Sequence, residues 1–280
     1  MDHRGGRDCR DACQGGRLSA ARPGIVRHAI FIALAATAII YAGICLAMFV
    51  FQRSLLYYPQ PRAVTAPEST LALHVPGADL TVTIRPHSGP KAILYFGGNG
   101  EDVSSNLESF SRAFPDQALF LLHYRGYGGS TGRPSEQAIN SDALALFRIV
   151  YAKHAQVAII GRSLGSGVAV RLASEAPASR LILVTPYDSI EAIAAAQYPY
   201  LPVRLLLLDR YQSGKYASGI AIPTSIIAAQ NDEVIPRAST DKLFARFRPG
   251  VASMTVIAGV GHNDIAATSE YLRVIQAALR

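Results

Sequence analysis

Cysteine is absent from residues 54–280; the three that occur lie upstream, Cys9 and Cys13 in a short polar stretch and Cys45 in an apolar run. That absence excludes a disulfide framework and a cysteine metal site from everything after residue 54. Cys9 and Cys13 lack the further Cys or His partners that would complete a ligand set. Lysine is scarce, four of the 27 basic residues, so most positive charge is arginine; this carries no functional message. A basic stripe interleaved with aromatics is also missing, so nucleic-acid binding is not expected despite a formal charge of +7. Residues 1–28 hold +3 of that charge, and the rest is spread without runs. No internal repeat or low-complexity tract follows. The length suffices for one large domain with a buried core plus an appendage.

Charge is missing altogether from Ala29 to Phe51, a run of 23 residues bracketed by Arg27 and Arg53. As a helix rising about 1.5 Å per residue, it reaches the thickness of a bilayer core. Residues 1–28, rich in Gly and Arg, are expected to be a disordered basic tail, and residues 29–51 a single-pass transmembrane anchor. The preceding arginines place the N-terminus in the cytoplasm and the remainder of the chain on the extracytoplasmic side. A cleaved secretory signal is the rival: Ala36-Thr37-Ala38 resembles a small-residue cleavage site but falls only halfway along the run. Cys45 follows the bulky Ile44 and makes a poor lipid-attachment site. Leu55-Leu56-Tyr57-Tyr58-Pro59 then reads as an aromatic collar at the interface.

From Leu71 onward, short apolar runs alternate with helix-like segments. Strands are expected at 71–75, 80–85, 92–96, 118–123, 157–160, 181–184, 224–229 and 253–257. Helices are expected near 103–114, 135–154, 164–176, 239–247 and 265–278. This alternation predicts an α/β fold with a mostly parallel sheet covered by helices on both faces, fed by an antiparallel hairpin from its first two strands. The stretch from about 187 to 216, with Tyr198-Pro199-Tyr200-Leu201-Pro202 and the apolar run Val203–Leu208, is too long for an ordinary connection. It is expected to form a small cap over an apolar pocket; a packed surface excursion is the rival.

Gly161-Arg162-Ser163-Leu164-Gly165 sits between a buried strand and a helix, the setting a nucleophile elbow requires. Serine needs a base, and the base an orienting acid. His262 is the only histidine after Ser163, in the Gly-rich turn Gly259-Val260-Gly261-His262-Asn263-Asp264. The candidate acid is Asp232, just past the strand 224–229 and on the ligand-binding edge of such sheets. Asp188 is an alternative; Glu233 adjoins Asp232 and would point elsewhere, whereas Asp209 and Asp264 read as structural. An oxyanion needs two donors: the N–H of Leu164 is one candidate, and that of Asn99, in Gly97-Gly98-Asn99-Gly100, the other. The glycine-rich stretch 124–132 lacks the Lys-Ser/Thr ending of a phosphate loop; its glycines shape a pocket wall, with Arg125 pairing an internal carboxylate.

Taken together, Phe96-Gly97-Gly98-Asn99-Gly100, Tyr124-Arg125-Gly126-Tyr127-Gly128, Gly161-Arg162-Ser163-Leu164-Gly165 and Gly261-His262-Asn263-Asp264 resemble the α/β-hydrolase superfamily. Within it, the likeness is to membrane-anchored serine hydrolases related to serine aminopeptidase-like domains, over roughly residues 55–280. The resemblance implies a cofactor-free and metal-free serine hydrolase acting on acyl esters or thioesters, and an apolar cap close to a bilayer makes lipidic acyl groups the expected substrates. Relatives remove acyl chains from lysophospholipids or S-palmitoylated proteins. Many carry His-Gly where this chain has Gly97-Gly98, a change that spares backbone donors. Two rivals stand beside this reading: a peptidase holding a substrate ammonium on Asp188 or Glu191, and a non-enzymatic membrane-tethered scaffold. Sequence leaves the oligomeric state open.

Overall fold

The computed structural model describes residues 23–280. The tail expected at 1–28 therefore lies largely outside the described residues, as do Cys9 and Cys13; residues 23–28 are already helical. Helix α1 (Pro23–Leu56) has a segment, Gly24–Leu56, long and apolar enough to cross a membrane. The chain divides into two units, 1–46 and 47–280. In the first, the described residues are one helix that is apolar all round and has no buried residue, with Phe31, Leu34 and Ile39 exposed. A helix hydrophobic on every face fits surroundings other than water.

The second unit contains the last turns of α1 and then β1 (Thr70–Val75), β2 (Ala78–Arg85), β3 (Lys91–Phe96), α2 (Leu107–Ala113), β4 (Ala118–Leu122), α3 (Glu136–Tyr151), β5 (Gln156–Arg162), α4 (Leu164–Ala173) and β6 (Arg180–Val184). It continues with α5 (Ile190–Gln197), α6 (Val203–Leu206), α7 (Ser213–Ala217), β7 (Thr224–Ala229), α8 (Arg237–Phe244), β8 (Ala252–Ile257) and α9 (Ser269–Ala278). The eight strands form one sheet in the order β1-β2-β4-β3-β5-β6-β7-β8. β1 and β2 pair antiparallel, as do β2 and β4, and every pair from β4 to β8 is parallel. The sequence supplies the reason. The central runs are apolar at every position, as strands covered on both faces must be. Period-2 alternation then sends Leu94, Phe96 and Ile159 into one core layer and Ile93, Tyr95 and Ile160 into the other.

Two expected helices are shorter than their apolar patterns. The segment 103–114 begins as a 3₁₀ turn (Val103–Asn106), with the Asp102 side chain accepting from the Ser104 N–H, before α2 starts. At 265–278, a 3₁₀ turn precedes α9 because Thr268 caps the latter, accepting from the Tyr271 N–H. Between β6 and β7 the chain carries three short helices, α5 to α7. Glu136, at the start of α3, pins this excursion by accepting from the N–H groups of Arg210 and Tyr211. Asp209 in turn takes the Arg53 guanidinium at 2.9 Å and the Tyr57 hydroxyl at 3.2 Å. Tyr57 is thus buried rather than part of an exposed collar; Tyr58 remains exposed. Arg125 forks onto the buried carboxylate of Asp142, with both contacts at 2.8 Å, the internal pairing its sequence context predicts.

Candidate active site

The site forms at the C-terminal edge of the parallel strands. β5 ends at Arg162, and Ser163 adopts φ 49° and ψ −119° before α4 begins at Leu164. A left-handed φ at a non-glycine residue costs on the order of 1–3 kcal/mol and needs surroundings that enforce it. Two glycines do so. A Cβ on Gly161 would collide with the Gly165 carbonyl, and one on Gly165 with the Phe96 carbonyl of β3. The turn is therefore as tight as the backbone permits, and it lifts the serine hydroxyl onto the sheet edge.

The hydroxyl meets His262, whose Nε2 lies 2.9 Å from Ser163 Oγ. On the other side of the ring, Nδ1 is 2.9 Å from Asp232 Oδ2 and 3.0 Å from Oδ1. With the proton on Nδ1, the ring donates to Asp232 and accepts from Ser163. The serine and histidine are 7% and 4% exposed, so the chain of hydrogen bonds is shielded from water. Asp232 also accepts from the N–H groups of Val234 and Ile235 at 3.0 and 2.7 Å. Burial pushes its carboxyl up, but the hydrogen bond from His262 and the backbone donors prevail and hold it below the ordinary aspartate value. It stays ionised facing the imidazole.

The other carboxylates take other posts. Glu233 accepts from the backbone N–H of His262 at 3.0 Å, and Asp264 from that of Gly261 at 2.6 Å, so both hold the loop rather than the ring. Asp188 pairs with Lys242 at 2.8 Å and lies 3.8 Å from Arg246. It supports α8 and does not reach His262.

Asn99 lies in the loop that follows β3. Next to it, Gly98 passes over the serine: a Cβ on Gly98 would be 3.6 Å from Ser163 Cβ. The Gly98 N–H donates to Glu101 Oε2 at 2.7 Å. The Asn99 carbonyl accepts from Tyr58 N–H (3.1 Å) and Tyr127 hydroxyl (2.6 Å), while its side-chain amide donates to the Leu56 carbonyl at 3.1 Å. The loop is thereby fixed from both sides, with the backbone N–H of Leu164 nearby at the start of α4.

Sequence reading did not single out Glu101 or the ion-pairing role of Arg162. Arg162 donates to Glu101 at 2.9 Å and to the His262 carbonyl at 3.2 Å, both side chains being largely buried. Burial pushes the Tyr95 phenol well up in pKa, so it remains protonated and donates to Glu101 at 2.7 Å. One carboxylate thus ties the oxyanion-loop candidate to the serine turn, and one guanidinium ties that turn to the histidine loop. The available signal was a charge at the variable position of the elbow beside another just past the glycine loop. Among the described residues, no group of three or more His, Cys, Asp or Glu side chains is placed to hold a metal ion.

No family model matches the chain. It is 34% identical over 250 residues to the Mycobacterium tuberculosis protein Rv2307c, covering 82% of this chain and 87% of that one. It is 29% identical over 192 residues to alpha/beta hydrolase domain-containing protein 17B of Xenopus laevis, covering 66% of this chain and 65% of that one. Among solved structures, the Pyrococcus furiosus esterase Pf2001 superposes with a TM-score of 0.64 at 16% identity, over 80% of this chain and 98% of that one. That identity speaks for fold alone, and the fold is the α/β-hydrolase fold. The chain belongs to the family of the mycobacterial protein Rv2307c, within the α/β-hydrolase superfamily.

Proposed function

We propose that this chain is a membrane-tethered serine hydrolase that cleaves acyl esters or thioesters, with Ser163 as nucleophile, His262 as general base and acid, and Asp232 as its orienting carboxylate. The observation that carries the reading is the unbroken run of hydrogen bonds from Asp232 through His262 to Ser163, at 2.9–3.0 Å throughout. Relatedness to hydrolases supports it. In the mechanism, Nε2 of His262 takes the hydroxyl proton as Oγ attacks the acyl carbonyl carbon. The resulting oxyanion is held by the backbone N–H groups of Leu164 and Asn99, each worth about 3 kcal/mol in the transition state. Collapse expels the alcohol or thiol, which leaves with the proton from His262. Water, deprotonated by the same nitrogen, then attacks the acyl-enzyme and releases the acid. No metal or organic cofactor enters this chemistry.

The same reading places the uncharged run of α1 in a bilayer, the N-terminus in the cytoplasm and the catalytic unit on the extracytoplasmic side. A peptidase would need a free carboxylate for the substrate ammonium. The two candidates are engaged, Asp188 with Lys242 and Glu191 with the Gln212 side-chain amide. The test is turnover of matched acyl ester, acyl thioester and aminoacyl anilide substrates by the full chain in detergent. Ester or thioester cleavage is expected; cleavage of the anilide alone would contradict the proposal.

A further inference from the structure

The last turns of α1 do more than connect the anchor to the fold. Met48, Leu55 and Leu56 on one side, and Ala194, Leu201 and Leu206 on the other, line an apolar groove of about 160 Å³ between the helix end and the α5–α6 excursion. Its one amide side chain, Gln52, is spent on its own surroundings: Nε2 donates to the Phe49 and Leu206 carbonyls, and Oε1 accepts from the Leu208 N–H. Apart from the Tyr198 hydroxyl, the remaining lining side chains are apolar, so the groove suits a hydrocarbon chain. In size it matches an engineered apolar cavity that takes up benzene, so it holds a stretch of a hydrocarbon chain rather than a whole one.

Two further observations identify that chain. The first is where the groove leads. Its Leu56 wall is bonded to the Asn99 side chain, and Asn99 adjoins Gly98, which passes over Ser163. The groove thus borders a residue that holds the loop passing over the nucleophile. The second is what surrounds it. Leu205 and Tyr200 are 82% and 87% exposed, and Leu55, Tyr58, Tyr198 and Leu208 are exposed as well. An exposed set of leucines and tyrosines, gathered at the end of a helix long enough to span a bilayer, matches the composition of a membrane-interface belt.

From this geometry we infer that the groove is the acyl-chain site, occupied by the fatty chain of a lipid ester that reaches it from the bilayer, with the last turns of α1 forming one wall. The inference rests on the hydrolase reading for what happens at the carbonyl. Occupancy of the groove is a separate matter. The last turns of α1, which belong to the second unit, are then part of substrate recognition.

The test has two arms on the full chain in phospholipid nanodiscs. In the first, kcat/KM is compared for esters of increasing acyl length. Specificity is expected to rise by up to about fourfold for each methylene that enters the groove. Ala194→Phe, which adds a benzene-sized group to a benzene-sized space, and Leu206→Trp should each cut the long-to-short ratio at least tenfold. A ratio unchanged within twofold in both variants overturns the inference, while leaving the hydrolase reading intact. The second arm needs no turnover. A lipid ester with a diazirine in its chain is photolysed with the Ser163→Ala protein, and the adducts are mapped. Adducts on Met48, Leu55, Ala194 or Leu206 support the site. Adducts elsewhere only, or cross-links joining two copies through these residues, overturn it.

Discussion

Asp232→Asn separates an orienting carboxylate from a bystander by changing one atom. The side chain keeps its shape, and its carbonyl oxygen still accepts from the Val234 and Ile235 N–H groups that place Oδ1. The amide NH₂ then takes the position of Oδ2, 2.9 Å from Nδ1. Two donors cannot share that contact, and Oδ1, 3.0 Å from Nδ1, already accepts from two backbone N–H groups, so the imidazole accepts from the amide and moves its proton to Nε2. In that tautomer Nε2 faces Ser163 Oγ with a hydrogen instead of a lone pair and cannot accept the serine proton. The imidazolium formed during attack also loses a buried counter-charge. Together these effects lower kcat by about 10⁴-fold in the serine-protease precedent, roughly 5 kcal/mol of barrier. The assay is burst and steady-state hydrolysis of a chromogenic short-chain ester by the full chain in detergent, with thermal unfolding to verify the fold. KM should change little, since no substrate contact is altered. If Asp232→Asn stays within tenfold of wild type while Asp188→Asn abolishes turnover, the carboxylate assignment is wrong.

Further outcomes follow from packing and burial. Gly165→Ala puts a methyl group into the Phe96 carbonyl, so β3 and α4 must part; stability should fall by about 3 kcal/mol or more in a denaturant melt, and an unchanged midpoint would contradict the geometry. Buried His123 is held neutral, its pKa lowered from 6.5 to about 4 by desolvation. The unfolded chain binds that proton first, so its contribution to stability is full above pH 6.5 and drains away as pH falls towards 4. Unfolding free energy should drop by roughly 2 kcal/mol from this group between about pH 7 and about pH 4.5. His123→Gln should flatten that part of the curve, and a variant with the wild-type slope would refute the assignment.

How much could be seen beforehand depended on the range of the forces involved. Strands of the central sheet announce themselves locally: Ala92–Phe96 and Val157–Ile160 are apolar throughout because helices cover both faces, and Leu183 and Ile226 follow the same logic. The hairpin was legible from its turn instead, where Pro76 and Gly77 part β1 from β2 and Gly77 takes φ 78°. Helix starts were less so. Apolar periodicity runs through 265–278, but Thr268 captures the Tyr271 N–H and resets the helix there. The serine turn was visible because steric demand leaves glycine on both sides.

What sequence does not carry is pairing between distant charges. Glu101 and Arg162 are 61 positions apart and meet only because β3 and β5 are neighbours in the sheet. Tyr57 read as an interfacial aromatic; the Asp209 carboxylate and the Tyr211 hydroxyl, more than 150 positions away, draw it inside. Nothing local hinted that the Asn99 side chain would hold the end of α1.

A fluorophosphonate probe puts the central claim to its most direct trial, because only an activated serine displaces its leaving group at neutral pH. Wild-type chain in detergent should take up one probe per molecule, with the adduct mapped by mass spectrometry to the peptide bearing Ser163, and Ser163→Ala and His262→Ala should take up none. A wild type that stays unlabelled while folded, or an adduct on any other residue, would contradict the account.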